Sequence, residues 1–235
     1  MASLVYHASE ASEPVVTYCS PGLHRVDSVV TRSGRAANPF ALETAVGEHR
    51  AMELVAPGRA YLGSYLEALR REWSPTTVES DFWRIELERV EADPDLALRQ
   101  LNERDGGGRT ITLPDGTEVP RIPGVVRWMW DGEFAGAINA RWQPGTAELP
   151  PHVLGHIGYS VVPWRQRRGY ATEALRQMLE LVRPEGLPYV EITTQPDNIG
   201  SQKVIEANGG VSLGEFVEPE GYGGHLGVKY RVDLG

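Results

Sequence analysis

Cysteine is nearly missing: Cys19 is the single thiol in 235 residues. One thiol excludes an internal disulfide and cannot build a thiolate metal cluster, so the fold must rest on burial alone, and no metal is expected. No apolar run approaches the ~20 residues that span a bilayer, and residues 1–7 have neither the basic start nor the apolar stretch of a secretory signal. Together these absences give the expectation of a cytoplasmic protein with no membrane partner. Positive charge is also scarce. Lysine and arginine number 23 against 32 acidic residues, a net charge of −9. A general nucleic-acid surface needs clustered basic residues, so no nucleic-acid partner is expected. Lysine occurs only at Lys203 and Lys229, a bias that fits a GC-rich genome better than a function.

What is present is enough for one sizeable core: 41% of residues are hydrophobic and 23% charged, as in ordinary globular domains. Residues 1–48 hold Ser, Thr, Ala and Gly clusters, two short β-branched runs (15–17 and 26–31) and no helical periodicity. They read as an extension that is loosely ordered or packed on the domain, with a lid or a dimer arm as the alternative. From residue 49 to the end, patterning predicts one domain without internal repeats. A short strand at 52–56 precedes Leu62, Tyr65, Leu66, Leu69 and Trp73, which share one helix face. Helices are predicted over 81–90 and, with Pro94 favouring a start, over 95–103. Residues 110–120 form a loop or small hairpin around Asp115-Gly116. Strands at 125–130 and 134–140 flank Asp131-Gly132, the signal of a two-residue hairpin. Then follow a strand at 157–162, a helix at 170–182, a strand at 189–194, a helix at 199–207 closed by Gly209, and strands at 211–217 and 225–232. The order makes a mixed α/β sheet. Trp128 and Trp130 fall on one side of their strand, as core or as the lining of a pocket.

The segment with chemical meaning is 156–171. An apolar strand runs into Arg165-Gln166-Arg167-Arg168-Gly169-Tyr170-Ala171, with the spacing Gln-x-x-Gly-x-Ala at a helix start. A turn there points backbone amides outward, the helix dipole favours an anion, and Gly169 lets a ligand approach without a Cβ in the way. Arg165, Arg167 and Arg168 add positive charge. Alone, the turn is equally an ordinary strand-to-helix connection.

With a second segment, Asp197-Asn198-Ile199-Gly200-Ser201 through Asn208-Gly209-Gly210, the chain resembles the GNAT superfamily of acetyl-CoA-dependent N-acetyltransferases over about three-quarters of its length. Within that family it looks closest to a bacterial subgroup. The resemblance implies a central, mostly antiparallel sheet with splayed strands flanked by helices. It implies that the backbone of Gln166, Arg167, Arg168, Gly169, Tyr170 and Ala171 holds a pyrophosphate, that Asn198 and Ser201 contact the pantetheine arm, and that the backbone of Val161 and Val162 binds beside the thioester and polarises the acetyl carbonyl. Helix capping is the competing role for Asn198. The implied reaction is direct acetyl transfer from acetyl-CoA to a primary amine of a small molecule or peptide; the alternative is a non-catalytic coenzyme A sensor. A base would help the amine lose its proton. His156, at the start of the motif strand, and Glu191, in the neighbouring strand, are the candidates, with a structural strand-start histidine and a carboxylate on a solvated face as the competing roles, and Tyr159 and Ser160 stand behind them. The family's acid tyrosine, seven residues after the asparagine, is replaced here by Ile205; Tyr222, His225 and Tyr230 lie in the last hairpin as substitutes. A homodimer is compatible with all of this.

Overall fold

The computed structural model describes residues 51–76, 81–113, 116–219 and 224–235; the extension predicted over 1–48 lies outside them. Two antiparallel half-sheets form the body. The first has strand order β1 (Glu53–Val55), β4 (Gly124–Trp130), β5 (Phe134–Arg141), β6 (Ile157–Val161), and the second β7 (Tyr189–Thr194), β9 (Leu226–Asp233), β8 (Val211–Val217). A small hairpin, β2 (Thr110–Thr112) with β3 (Glu118–Pro120), stands apart. The helices are α1 (Arg59–Arg70), α2 (Phe82–Ala92), α3 (Pro94–Asn102), α4 (Tyr170–Val182) and α5 (Ile199–Glu206). This is the mixed α/β architecture the pattern predicts.

Strand alternation divides the core in two. Met129 of β4 and Ile138 of β5 face a cluster completed by Leu175 and Met178 of α4 and Ile205 of α5. Trp128 and Phe134 face the other cluster, built by Tyr65 and Leu69 of α1 with Val90 of α2 and Leu98 of α3. Trp128 and Trp130 share that second side, as expected, and the ring of Trp128 stacks on Tyr65 at 4.4 Å between centroids.

Two local expectations are corrected. The β4–β5 connection has three residues, Asp131, Gly132 and Glu133, not two. Trp130 pairs with Phe134 and Met129 with Gly136, so Ala135 is the extra residue of a bulge. The bulge lets both Phe134 and Ala135 find apolar neighbours, on opposite clusters. Trp73, predicted on the α1 face, lies beyond its end. Glu72 takes a left-handed φ of 61° and the Trp73 amide returns to the Ala68 carbonyl at 3.1 Å. That reversal folds the indole into the core against Phe134, ring centroids 5.1 Å apart. Burying an indole outweighs the cost of one left-handed residue, about 1–2 kcal/mol.

Gly136 is the residue on which β6 depends. Its φ is +153°, and a Cβ there would lie 2.3 Å from the Ser160 carbonyl oxygen and 2.9 Å from the Val161 Cα. Both neighbours are backbone and cannot rotate away. Gly136→Ala is expected to lower stability by roughly 3 kcal/mol, read by urea denaturation; a loss under about 0.5 kcal/mol would mean that the strands slide apart freely.

Candidate functional site

The turn before α4 is shaped as an anion cradle. After Val161 the chain makes one 3-10 turn, Pro163–Arg165, and Gly169 then caps α4 with φ 80° and ψ 0°. Arg167 also has positive φ, 62°. Two left-handed residues separated by one turn the intervening backbone amides toward one side, as in a nest, at the end of a helix whose first amides lack intrahelical acceptors. A Cβ built on Gly169 meets no heavy atom within 4 Å. The space in front of the turn is open, so the residues present fit a pyrophosphate held by backbone.

The side chains around this turn divide. Arg165 is anchored: its guanidinium donates to Asp131 at 2.7 Å and to Glu133. The Tyr170 hydroxyl also donates to Asp131. The acidic β4–β5 turn therefore fixes both ends of the cradle, and Arg165 is committed to a structural pair. Burial opposes its charge, but Glu133 and Asp131 more than compensate, so its pKa is raised. In the sequence Arg165 is one of three arginines that add positive charge to the turn and Asp131 is a turn residue; nothing in the local pattern marks their pairing, which spans more than thirty residues. Arg168 reaches only the Trp164 carbonyl, at 3.4 Å, and remains exposed with Arg167.

Next to the cradle the two half-sheets part. Strand β6 pairs with β5 and strand β7 with β9, while β6 and β7 share no ladder. They meet only at their starts, where the His156 amide donates to the Glu191 carbonyl at 2.6 Å and the Glu191 amide donates to His156 Nδ1 at 2.9 Å. Gly155 makes this approach feasible, because a Cβ there would sit 3.1 Å from the Glu191 oxygen. Beyond that point a cleft opens between the strands.

The two valines at the end of β6 are not equivalent. The Val162 amide donates to the Ala135 carbonyl at 3.0 Å, and Val162 is fully buried. Its N–H is therefore spent on β5. In the observed register, Val161 opposite Gly136 and Tyr159 opposite Ile138, antiparallel alternation turns the N–H groups of Ile157, Tyr159 and Val161 the other way, toward the cleft. The Val161 carbonyl, on that same side, accepts from Gln166 Nε2 at 3.3 Å. Of the pair, Val161 alone offers its amide to the cleft.

His156 is 1% exposed. Burial pushes its imidazole down to about 4, against the opposing pull of Glu191 and of the backbone at Glu191 and Ala147. Its accepting nitrogen is filled by an amide, so the ring joins the half-sheets and is neutral at ordinary pH. Glu191 is held by Arg231 at 2.8 Å and Lys229 at 3.2 Å. Burial raises its pKa, but these two cations more than offset that and hold the carboxyl below its usual value. Both groups are thus engaged by partners within the protein.

Asn198 is the N-cap of α5, its Oδ1 accepting from the Ser201 amide at 3.0 Å. Ser201 is buried. The Tyr159 hydroxyl donates to the Ser201 carbonyl at 3.4 Å, and burial pushes it up to about 12. The strand and the helix start thus face one another across the cleft. Ile205 is fully buried in the core, where it packs so closely on Gly210 that a Cβ there would lie 2.3 Å from its Cγ2. Tyr230 is buried with its hydroxyl directed to Gln202 and Glu206, at 3.4 Å each; His225 is exposed, and Tyr222 lies outside the described residues. Among the described residues, no group of three His, Cys, Asp or Glu could hold a metal ion, and no helix is long and apolar enough to cross a membrane.

Residues 122–211 match the acetyltransferase (GNAT) domain family. No curated protein matches the chain. Among solved structures, the chain is similar to a microcin self-immunity acetyltransferase in complex with acetyl-CoA and AMP, at 13% identity and a TM-score of 0.53 over 77% of this chain and 92% of that one. It is also similar to an acetyltransferase from Salmonella typhimurium that modifies the N-terminal serine of a ribosomal protein, at 15% identity and 0.51 over 77% and 94%. A ribosomal-protein alpha-N-acetyltransferase in complex with coenzyme A gives 14% and 0.50 over 77% and 93%. At these identities the likeness is one of fold.

Proposed function

We propose that the chain, whose residues 122–211 match the acetyltransferase (GNAT) domain family, is an acetyltransferase of that superfamily that moves an acetyl group from acetyl-CoA directly to a primary amine. The observation that carries this reading is the open, glycine-capped cradle of α4 beside the β6–β7 cleft. Acetyl-CoA supplies the thioester whose acyl carbon an amine attacks. The amides of residues 166–171 bind its pyrophosphate, with Gly169 giving the clearance and Arg167 and Arg168 the surrounding positive charge. The Val161 amide, preorganised in the cleft, stabilises charge on the acyl oxygen, an effect worth about 3 kcal/mol per donor. Val162 supports the site by holding β6 to β5. Asn198 shapes the α5 start, and Ser201 and Tyr159 line the pantetheine side.

His156 and Glu191 act in this reading as positioning residues: the first sets where the cleft begins and the second fixes β7 to β9. The amine proton leaves through water, and Tyr159, protonated at neutral pH and set against the α5 start, serves as the acid for the departing thiolate. The chemistry is cytoplasmic in this reading. The catalytic domain runs from about residue 49 to the end.

The test is thiol release from acetyl-CoA against a broad panel of primary amines. Release with at least one amine, first order in enzyme, is the expected result. Ile205, a core residue where the family has its acid, favours one competing reading, a coenzyme A sensor. Tight acetyl-CoA binding without thiol release from any amine would select it.

A further inference from the structure

The two faces of β6 carry different side chains. Tyr159 and Val161 pack with the α4–α5 cluster, whereas Val162 belongs to the α1–α3 cluster. Alternation puts Ser160 on the same face as Val162. Its partner across the ladder is Ala137 of β5, which also packs with the α1–α3 cluster. The strand neighbours of Ser160 on that face are small, Gly158 along β6 and Ala137 across from it, so neither screens its hydroxyl. On its other flank β6 has no ladder partner, because that edge borders the cleft.

One donor sets this hydroxyl. Trp73 gives its indole N–H to Ser160 Oγ at 3.1 Å. The indole arrives through the reversal at Glu72 beyond α1 and is 4% exposed, so packing fixes the donor. A hydroxyl oxygen that accepts one bond keeps a second lone pair and its own hydrogen. Among the described residues, no other group bonds to Ser160 Oγ. Ser160 is half-buried and directly precedes Val161, whose amide faces the cleft.

We propose that Ser160 orients the acceptor: its remaining lone pair takes an N–H of the incoming amine and so turns the nitrogen lone pair toward the acetyl carbon. This rests on the transferase reading above. The strand then separates the reactants. The amine approaches from the Trp73 side, the Val161 amide holds the acetyl oxygen in the plane of the sheet, and the thiolate departs toward Tyr159 on the α4–α5 side. The amine nitrogen bonds to the acetyl carbon, and the carbon–sulfur bond breaks with its electron pair on sulfur. The amine proton passes to water, while Tyr159 gives its proton to sulfur and regains one from water. The nitrogen gains positive charge as it attacks, so its bond to Ser160 tightens in the transition state and raises kcat.

Satisfying a buried indole is the simpler role for Ser160, and a double variant separates the two. Thiol release is measured across the amine panel, with phenethylamine, alaninamide and spermidine included, and the fastest amine is carried through Ser160→Ala, Trp73→Phe and the two combined. Ser160→Ala should lower kcat about tenfold or more while the acetyl-CoA Kd, read by calorimetry, stays within about twofold, since the cradle and the Val161 amide remain. Trp73→Phe removes the indole N–H and keeps a ring in the core. In that background a structural Ser160 has nothing left to satisfy, and its loss leaves no buried donor unpaired, so the double variant folds as Trp73→Phe does. The proposal requires the loss in kcat to persist there. Equal kcat with and without Ser160 in the Trp73→Phe background overturns it and leaves the transferase reading standing. Wild type that releases no thiol with any amine removes both.

Discussion

Gly169→Glu is expected to weaken acetyl-CoA binding at least a hundredfold while the protein stays folded. The left-handed φ of 80° costs a non-glycine residue about 1–2 kcal/mol. No neighbour opposes the new side chain, since nothing lies within 4 Å of its Cβ. The fold therefore loses only that strain. The cradle loses far more, because a carboxylate projects into the space where the turn amides gather an anion, and a hundredfold loss corresponds to about 2.8 kcal/mol. Gly169→Ala carries the same backbone strain and a methyl group without the charge, so its weakening should be much smaller. Calorimetric titration of both variants beside a urea melt gives the answer. Equal affinity in wild type and Gly169→Glu would remove the pyrophosphate from this turn.

The second large effect is on stability against pH and comes from His156. Its folded pKa is depressed to about 4, against about 6.5 in an unfolded chain. As pH falls below 6.5 the unfolded chain takes up a proton that the folded protein refuses, so stability is complete above that value and drains away down to about 4. The shift corresponds to about 3 kcal/mol. His156→Asn should remove this dependence, because the Asn Oδ1 can take the place of Nδ1 as acceptor for the Glu191 amide, and it does not titrate. Urea denaturation at steps from pH 7 to pH 4 should show wild type losing about 3 kcal/mol more than the variant. Parallel curves would mean that His156 titrates freely. His152, whose pKa burial also lowers, drains stability from the same starting pH but does so in both proteins and drops out of the difference, while Glu173, lowered to about 2 by Arg176 and Gln177 against the effect of burial, releases its contribution only below about 4.5.

Elements with strong periodicity were legible. The predicted bounds of 170–182, 189–194 and 211–217 coincide with α4, β7 and β8, since apolar spacing, Gly209 and the flanking prolines all act locally. The glycine-capped start of α4 was legible for the same reason: a glycine at a helix start is a local fact. What escaped depends on partners far along the chain. The bulge at Ala135 arises from pairing with both β4 and β6, so Asp131-Gly132 alone suggested a tighter turn. Arg165 looks like its arginine neighbours until Asp131 is brought beside it. His156 reads in the sequence as a candidate base, and its bond to the Glu191 amide, 35 residues away, is visible only in the fold.

The alternation along β6 also limits how this region can vary. Whether a given N–H meets β5 or the cleft depends on whether its residue number is even or odd, counted from Val162 and its bond to Ala135. With Val162 held to Ala135, losing or gaining one residue between Ile157 and Val161 leaves the Val161 amide as it is but reverses the parity of every residue before the change, and the bond between the Arg141 amide and the His156 carbonyl loses its register. A change of two restores it. The side chains of β6 can thus be exchanged one by one, whereas its length can change only in steps of two.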